Sequence, residues 1–128
     1  MARILVVDDE PDVANLVADV IRRDGFDVET VHSGAAALNR LAAEAYDLIV
    51  CDLVMPEVNG IAVYRAVHQL AEPRPLILFL SGYYDLFLSR HHDAGPYEAF
   101  LRETRQPALG KPFDINILRQ TVRRLLEA

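Results

Sequence analysis

Five short apolar runs rich in valine, isoleucine and leucine alternate with longer amphipathic segments along the chain. That alternation constrains the fold more than any other feature: it is the pattern of βα units, in which a parallel sheet is covered by helices on both faces. The runs expected as strands are Arg3 to Val7, Asp27 to Val31, Leu48 to Cys51, Leu76 to Leu80 and a weaker Ala108 to Leu109. The first, third and fourth are nearly all apolar, as buried central strands must be, whereas Phe26, Val28 and Thr30 alternate with Asp27 and Glu29 as on an edge strand. Between them, Val13, Leu16, Val17, Val20 and Ile21 repeat at helical spacing after Pro11, and Gly25 stops that helix. Ser33 and Asn59 are placed to cap a second and a third helix, the latter ending before Pro73 and Pro75. Asp114 caps the last, with Ile115, Leu118, Val122 and Leu125 expected inward. At 128 residues the chain fits one domain, 1–128, with no repeat or linker.

In open α/β sheets, ligands bind outside the carboxyl ends of the strands. Here those ends are charged: the first strand runs into Asp8-Asp9-Glu10, the third into Asp52, and the fifth into Lys111-Pro112-Phe113. Carboxylates brought together from separate segments repel, and a divalent cation relieves the repulsion, so the set Asp8, Asp9 and Asp52 calls for Mg²⁺. Lys111 is the only lysine beside twelve arginines. A compact ammonium kept at that one place suggests a point charge for a phosphate.

The net charge of −6 gives no basic field for nucleic acid, so direct binding of DNA or RNA is not expected. A single cysteine, Cys51, lies in an apolar run; it excludes an internal disulfide, suits a reducing compartment and reads as a small core residue. The start of the chain lacks the apolar stretch of a signal peptide, and no segment approaches a membrane span, so a cytoplasmic protein is expected. His91-His92 has no acidic or cysteine partners at metal-ligand spacing and reads as a solvated pair; Arg119, Arg123 and Arg124 on the last helix read as mostly a solvated face, also available for salt bridges to a partner.

The ordered set Asp8-Asp9, Asp52 followed by Met55-Pro56 and Gly60, Ser81 after the fourth strand, and Lys111-Pro112-Phe113 after the fifth resembles the receiver domain of bacterial two-component response regulators. The resemblance spans the whole chain. It implies a flavodoxin-like (βα)5 fold with one doubly wound five-stranded parallel sheet. It further implies that Asp52 is the phosphoacceptor and that Asp9, Asp52 and the backbone carbonyl of Val54 bind Mg²⁺, with Asp8 acting largely through water. Ser81 and Lys111 would hold phosphoryl oxygens, and the Lys111-Pro112 bond would be cis. Partners implied are a sensor histidine kinase or phosphotransfer protein, and an output domain or protein, or a second copy of the chain, on the face made by the fourth helix, fifth strand and fifth helix. Such a domain is a signalling switch that assists its own phosphorylation and dephosphorylation, not an enzyme.

Two departures stand out. The position where most receivers carry a switching aromatic, three before the lysine, is Ala108, and Gly95, which resembles the glycine ending the fourth helix, lies about nine residues too far from Lys111. The extra residues, Pro96 to Arg105, carry Tyr97, Phe100 and Leu101 at helical spacing, as for a short amphipathic helix that either remodels the output face or covers core beside a short fifth strand. Tyr83 and Tyr84 are candidates to replace the missing aromatic. A module that keeps the fold but works without phosphorylation is the alternative these departures support. A phosphatase or transferase acting through an aspartyl phosphate is disfavoured because the general-acid position two after Asp52 is Val54. The chain ends soon after the last helix, which leaves either a single-domain regulator or a part of a longer one.

Overall fold

In the computed structural model, which describes residues 1–82 and 95–127, the apolar runs form one five-stranded parallel sheet. The order of elements is β1 (Arg3–Val7), α1 (Pro11–Arg22), β2 (Asp27–Val31), α2 (Gly34–Ala43), β3 (Leu48–Asp52), α3 (Gly60–Val67), β4 (Leu76–Gly82), α4 (Gly95–Thr104), β5 (Ala108–Lys111) and α5 (Ile115–Glu127). The strands lie in the order β2-β1-β3-β4-β5, so the chain winds outward from β1 first to one edge and then to the other. This is the doubly wound (βα)5 architecture that the alternation predicts.

The side-chain period of a strand divides the core in two. Ile4, Val6, Val28, Leu48, Val50, Leu78 and Leu80 point to the face covered by α1 and α5, where they meet Val17, Ile21, Leu118 and Val122. Leu5, Val7, Ile49, Cys51, Ile77 and Phe79 point to the other face, under Ala37, Leu41, Val63 and Val67 of α2 and α3. The expected caps form: Ser33 accepts from Ala36 N–H at 3.0 Å and Asn59 from Ala62 N–H at 3.0 Å. Asp114 likewise accepts from Asn116 and Ile117 N–H at 2.8 and 3.1 Å. Gly25 ends α1 with φ of 94°, a left-handed turn open to glycine without strain.

Several expectations change in detail. β3, β4 and β5 run past their apolar residues to Asp52, Gly82 and Lys111, because ladder bonds are made by backbone whatever the side chain; Leu53 N–H still donates to Leu80 C=O at 2.9 Å. Leu16 and Ile115, expected inward, are 47% and 44% exposed and flank a shallow apolar groove with Val13 and Phe113. Gly95 begins a helix, and Pro96–Arg105 is largely α4 itself. Tyr97, Phe100 and Leu101 pack onto the α2/α3 face, with Phe100 edge-on to Phe79 (centroids 5.5 Å) and to Tyr64 (5.0 Å). The stripe therefore covers core above β4. The fourth helix expected before Gly95, Tyr83, Tyr84 and His91-His92 lie outside the described residues.

Arg119 and Arg123 are more than a solvated face, although the Arg123 side chain is 53% exposed. Arg119 donates twice to Asp24, at 3.0 and 2.7 Å, and Arg123 adds a contact at 3.5 Å, which pins the turn after α1 to α5. Among the described residues, no helix is long and apolar enough to cross a membrane.

Candidate functional site

The sheet topology decides which residues meet. β1 and β3 are neighbours at its centre, so Asp8, one residue past β1, and Asp52, the last of β3, emerge side by side. β4 follows β3, and β5 follows β4 in a register that pairs Ser81 with Gly110 and Gly82 with Lys111. Parallel order brings all four ends to one edge. There the carboxylates of Asp8, Asp9 and Asp52 offer oxygen atoms within 4.8 Å of one another, and Lys111 Nζ lies 2.7 Å from Asp8 Oδ2 and 3.4 Å from Asp52 Oδ2.

Burial differs within the cluster. Asp8 is fully buried and Asp52 is 2% exposed, while Asp9 is exposed. Asp8 is held by local bonds, since its Oδ1 accepts from Glu10 N–H at 2.9 Å and its backbone N–H donates to Val31 C=O at 3.2 Å. Among the described residues, two buried polar atoms, Asp52 Oδ1 and Ser81 Oγ, have no hydrogen-bond partner. Buried polar groups are nearly always paired, and an orphan oxygen in an acidic pocket points to a ligand that completes it.

Electrostatics give the same picture. Burial pushes the Asp52 carboxyl up to about 8; Lys111 pulls against this, and Asp8 and Asp9 reinforce it. Burial pulls the Lys111 ammonium down, but its hydrogen bond to Asp8 and the charge of Asp52 outweigh that and leave it above its ordinary value. Burial also raises the Cys51 thiol far above its usual range, as suits an inert core residue. Three carboxylates against one ammonium leave the pocket short of positive charge. A small divalent cation fits this donor set: hard carboxylate oxygens converging on one point, one of them unpartnered.

The remaining predicted residues take up the rim. Val54 is half-buried and lines, with Asp9, Met55, Pro56, Glu57, Asn59 and Tyr97, a cavity of about 540 Å³. The Lys111-Pro112 peptide is cis, as is Glu72-Pro73. Ala108, at the start of β5, is exposed and has no ring to move. Two features escaped the sequence reading: the place of Tyr97 at this rim, whose only signal was its helical spacing with Phe100 and Leu101, and the Asp24–Arg119 pair, 95 residues apart.

Residues 4–123 match the family model of the response regulator receiver domain. The chain belongs to that family. Similar proteins include the response regulator receiver protein CpdR of Brucella abortus, 30% identical over 128 residues, a match covering all of this chain and 99% of CpdR. The transcriptional regulatory protein CutR of Streptomyces coelicolor is 43% identical over 81 residues, which are 62% of this chain and 37% of CutR. The match to the response regulator ArlR of Staphylococcus saprophyticus takes in 53% of that protein, so this receiver spans the whole of one relative and about half or less of others. Among solved structures, a putative response regulator from Chloroflexus aurantiacus superposes with a TM-score of 0.78 at 28% identity over 99% of this chain and 98% of that one. The chain is thus a receiver domain of two-component response regulators, a family whose members typically bind Mg²⁺ at an acidic pocket and interact with histidine kinases and output domains.

Proposed function

We propose that this receiver is a phosphoacceptor switch in which Asp52 takes a phosphoryl group from the phosphohistidine of a sensor kinase or phosphotransfer protein. The observation that carries the reading is the buried Asp52 carboxylate, with one oxygen near Lys111 and the other without a partner, at a strand end shared with Asp8 and Asp9. In the transfer, the P–N bond to the donor imidazole breaks as a P–O bond to Asp52 forms; the imidazole keeps the electron pair and takes up a proton, and the product is an acyl phosphate. Asp9, Asp52 and the Val54 carbonyl, with Asp8 through water, would hold Mg²⁺, which when bound offsets the charge of an anionic phosphoryl group at an anionic acceptor. Lys111 steers a phosphoryl oxygen by charge, and the free Ser81 hydroxyl donates to another. The domain assists its own phosphorylation and dephosphorylation by positioning and charge and does not turn over a separate substrate. Its readout is a changed protein-binding surface for an output domain, a protein partner or a second copy, without direct contact to nucleic acid.

The test is intact-mass spectrometry after incubation with Mg²⁺ and a small acyl phosphate or a phosphohistidine donor, on wild type and Asp52→Asn in parallel. One metal-dependent phosphoryl group on the wild type alone supports the reading. Failure of both donors on the wild type replaces it with a phosphorylation-independent binding module, the reading that Ala108 favours.

A further inference from the structure

The site has a signal to pass on, and β5 lacks the ring that would carry it. Ala108 lies beside Phe79 in the register, and the ring above Phe79 comes instead from α4, where Phe100 packs edge-on between Phe79 and Tyr64. One turn earlier on the same face stands Tyr97, whose hydroxyl accepts a hydrogen bond from Asn59 Nδ2 at 3.3 Å. Asn59 belongs to the loop between β3 and α3 that also carries Val54, and that loop is closed on itself by Gly60 N–H to Leu53 C=O at 2.8 Å and Val58 N–H to Pro56 C=O at 2.8 Å. Its tightness shows at Glu57, a non-glycine residue with φ of 64°. Asn59 is committed at its other end as well, since its Oδ1 caps α3. The amide thus joins three things at once: the loop that offers the Val54 carbonyl, the start of α3, and α4 through Tyr97.

From this geometry we infer that Tyr97 is a positioning residue that couples the acidic pocket to α4, doing from a helix what an aromatic on β5 would otherwise do. The inference rests on the phosphoacceptor reading of Asp52. Filling the pocket fixes the loop; the fixed loop holds Asn59; Asn59 holds Tyr97, and with it the register of α4 over Phe79 and Tyr64. Coupling between sites is reciprocal, so a docked Tyr97 must in turn favour an occupied pocket by the same factor. One neutral, part-buried hydrogen bond sets its size at about two- to tenfold in affinity.

The experiment is hydrogen exchange on the full chain, free, with Mg²⁺, and with Mg²⁺ plus beryllofluoride as the phosphoryl mimic, for wild type and Tyr97→Phe, with Mg²⁺ affinity measured by calorimetry. The variant keeps the ring and loses only the hydroxyl, so the free protein should lose no more thermal stability than one part-buried hydrogen bond provides. Wild type should show slower exchange in 52–60 and 95–104 on loading; Tyr97→Phe should keep the first effect, lose at least half of the second, and bind Mg²⁺ two- to tenfold more weakly. Equal responses of 95–104 in the two proteins overturn the role of Tyr97 alone. If 52–60 does not respond in the wild type, the pocket takes neither metal nor mimic, and the phosphoacceptor reading falls together with the coupling.

Discussion

Asp52→Asn should stabilise the metal-free receiver. The wild-type carboxyl is 2% exposed and is pushed by burial from 3.8 to about 8. A group whose folded value is raised binds its proton more tightly in the folded state, so its contribution is fully present below the unfolded value and is lost as pH rises through the folded one. At pH 7 that difference corresponds to a ceiling of about 4 kcal/mol against folding. Asparagine removes the charge at nearly constant shape but buries an amide that finds only some of its partners, which offsets ~1–2 kcal/mol. The net gain expected at pH 7 is therefore roughly 2–3 kcal/mol, or about 5–10 °C in Tm for a chain of this length.

The pH profile separates this cause from better packing. Near pH 4 the folded carboxyl is protonated and the unfolded one about half ionised, so only about 0.5 kcal/mol of the penalty remains and the gain should vanish or reverse slightly; it should grow steadily to pH 8. Thermal melts of both proteins in chelator across that range make the measurement. A difference independent of pH, or a loss at pH 7, would show that Asp52 does not carry the burial penalty argued here. Millimolar Mg²⁺ should narrow the gap by stabilising the wild type more than the variant.

Three further outcomes follow from other parts of the fold. A Cβ added at Gly34 would lie 2.2 Å from the carbonyl oxygen of Val58, so Gly34→Ala should cost about 1–3 kcal/mol by displacing the loop after β3, read as a lowered Tm. Asp24 is 6% exposed on its side chain and is lowered by the hydrogen bonds from Arg119, so the stability it contributes is present above its unfolded value and lost as pH falls through its folded one; Asp24→Ala should cost on the order of 1–3 kcal/mol at pH 7 in chemical denaturation, and much less near pH 3. Cys51 is fully buried with its thiol raised, so alkylation by iodoacetamide in native buffer should proceed only as fast as the chain unfolds, and modification within minutes would show an open β3.

The strands were legible where side chains alternate or run apolar without interruption, as in Arg3–Val7 and Asp27–Val31, whose bounds match the sequence reading. They were less so where a strand continues into the pocket residues, because Asp52, Ser81 and Lys111 are strand by backbone pairing yet polar in side chain. The three caps were readable because capping is local, within three residues. The Asp24–Arg119 pair and the Asn59–Tyr97 contact were not, since each joins segments whose distance in the chain carries no pattern. Leu16 and Ile115 mark the same limit: helical periodicity places a residue on a stripe, while the tertiary neighbour decides whether the stripe's margin is covered.

The use of one lysine among twelve arginines acquires a physical meaning once the partners are known. Away from the pocket, acids meet guanidinium: Asp24 takes two bonds from Arg119, and Glu29 is shared by Arg3 and Arg40 while also accepting from Tyr46 at 2.8 Å. A planar fork suits such pairs because it satisfies both oxygens of a carboxylate at once. The pocket needs the opposite: Lys111 reaches Asp8 and Asp52 together yet leaves Asp52 Oδ1 without a partner. An arginine at 111 would bridge the two carboxylates by its several donors and pair the oxygen that Lys111 leaves without a partner. The same chain therefore satisfies its acids where they hold the fold together and leaves one unsatisfied in the acidic pocket, and the lysine is the residue that keeps the two arrangements apart.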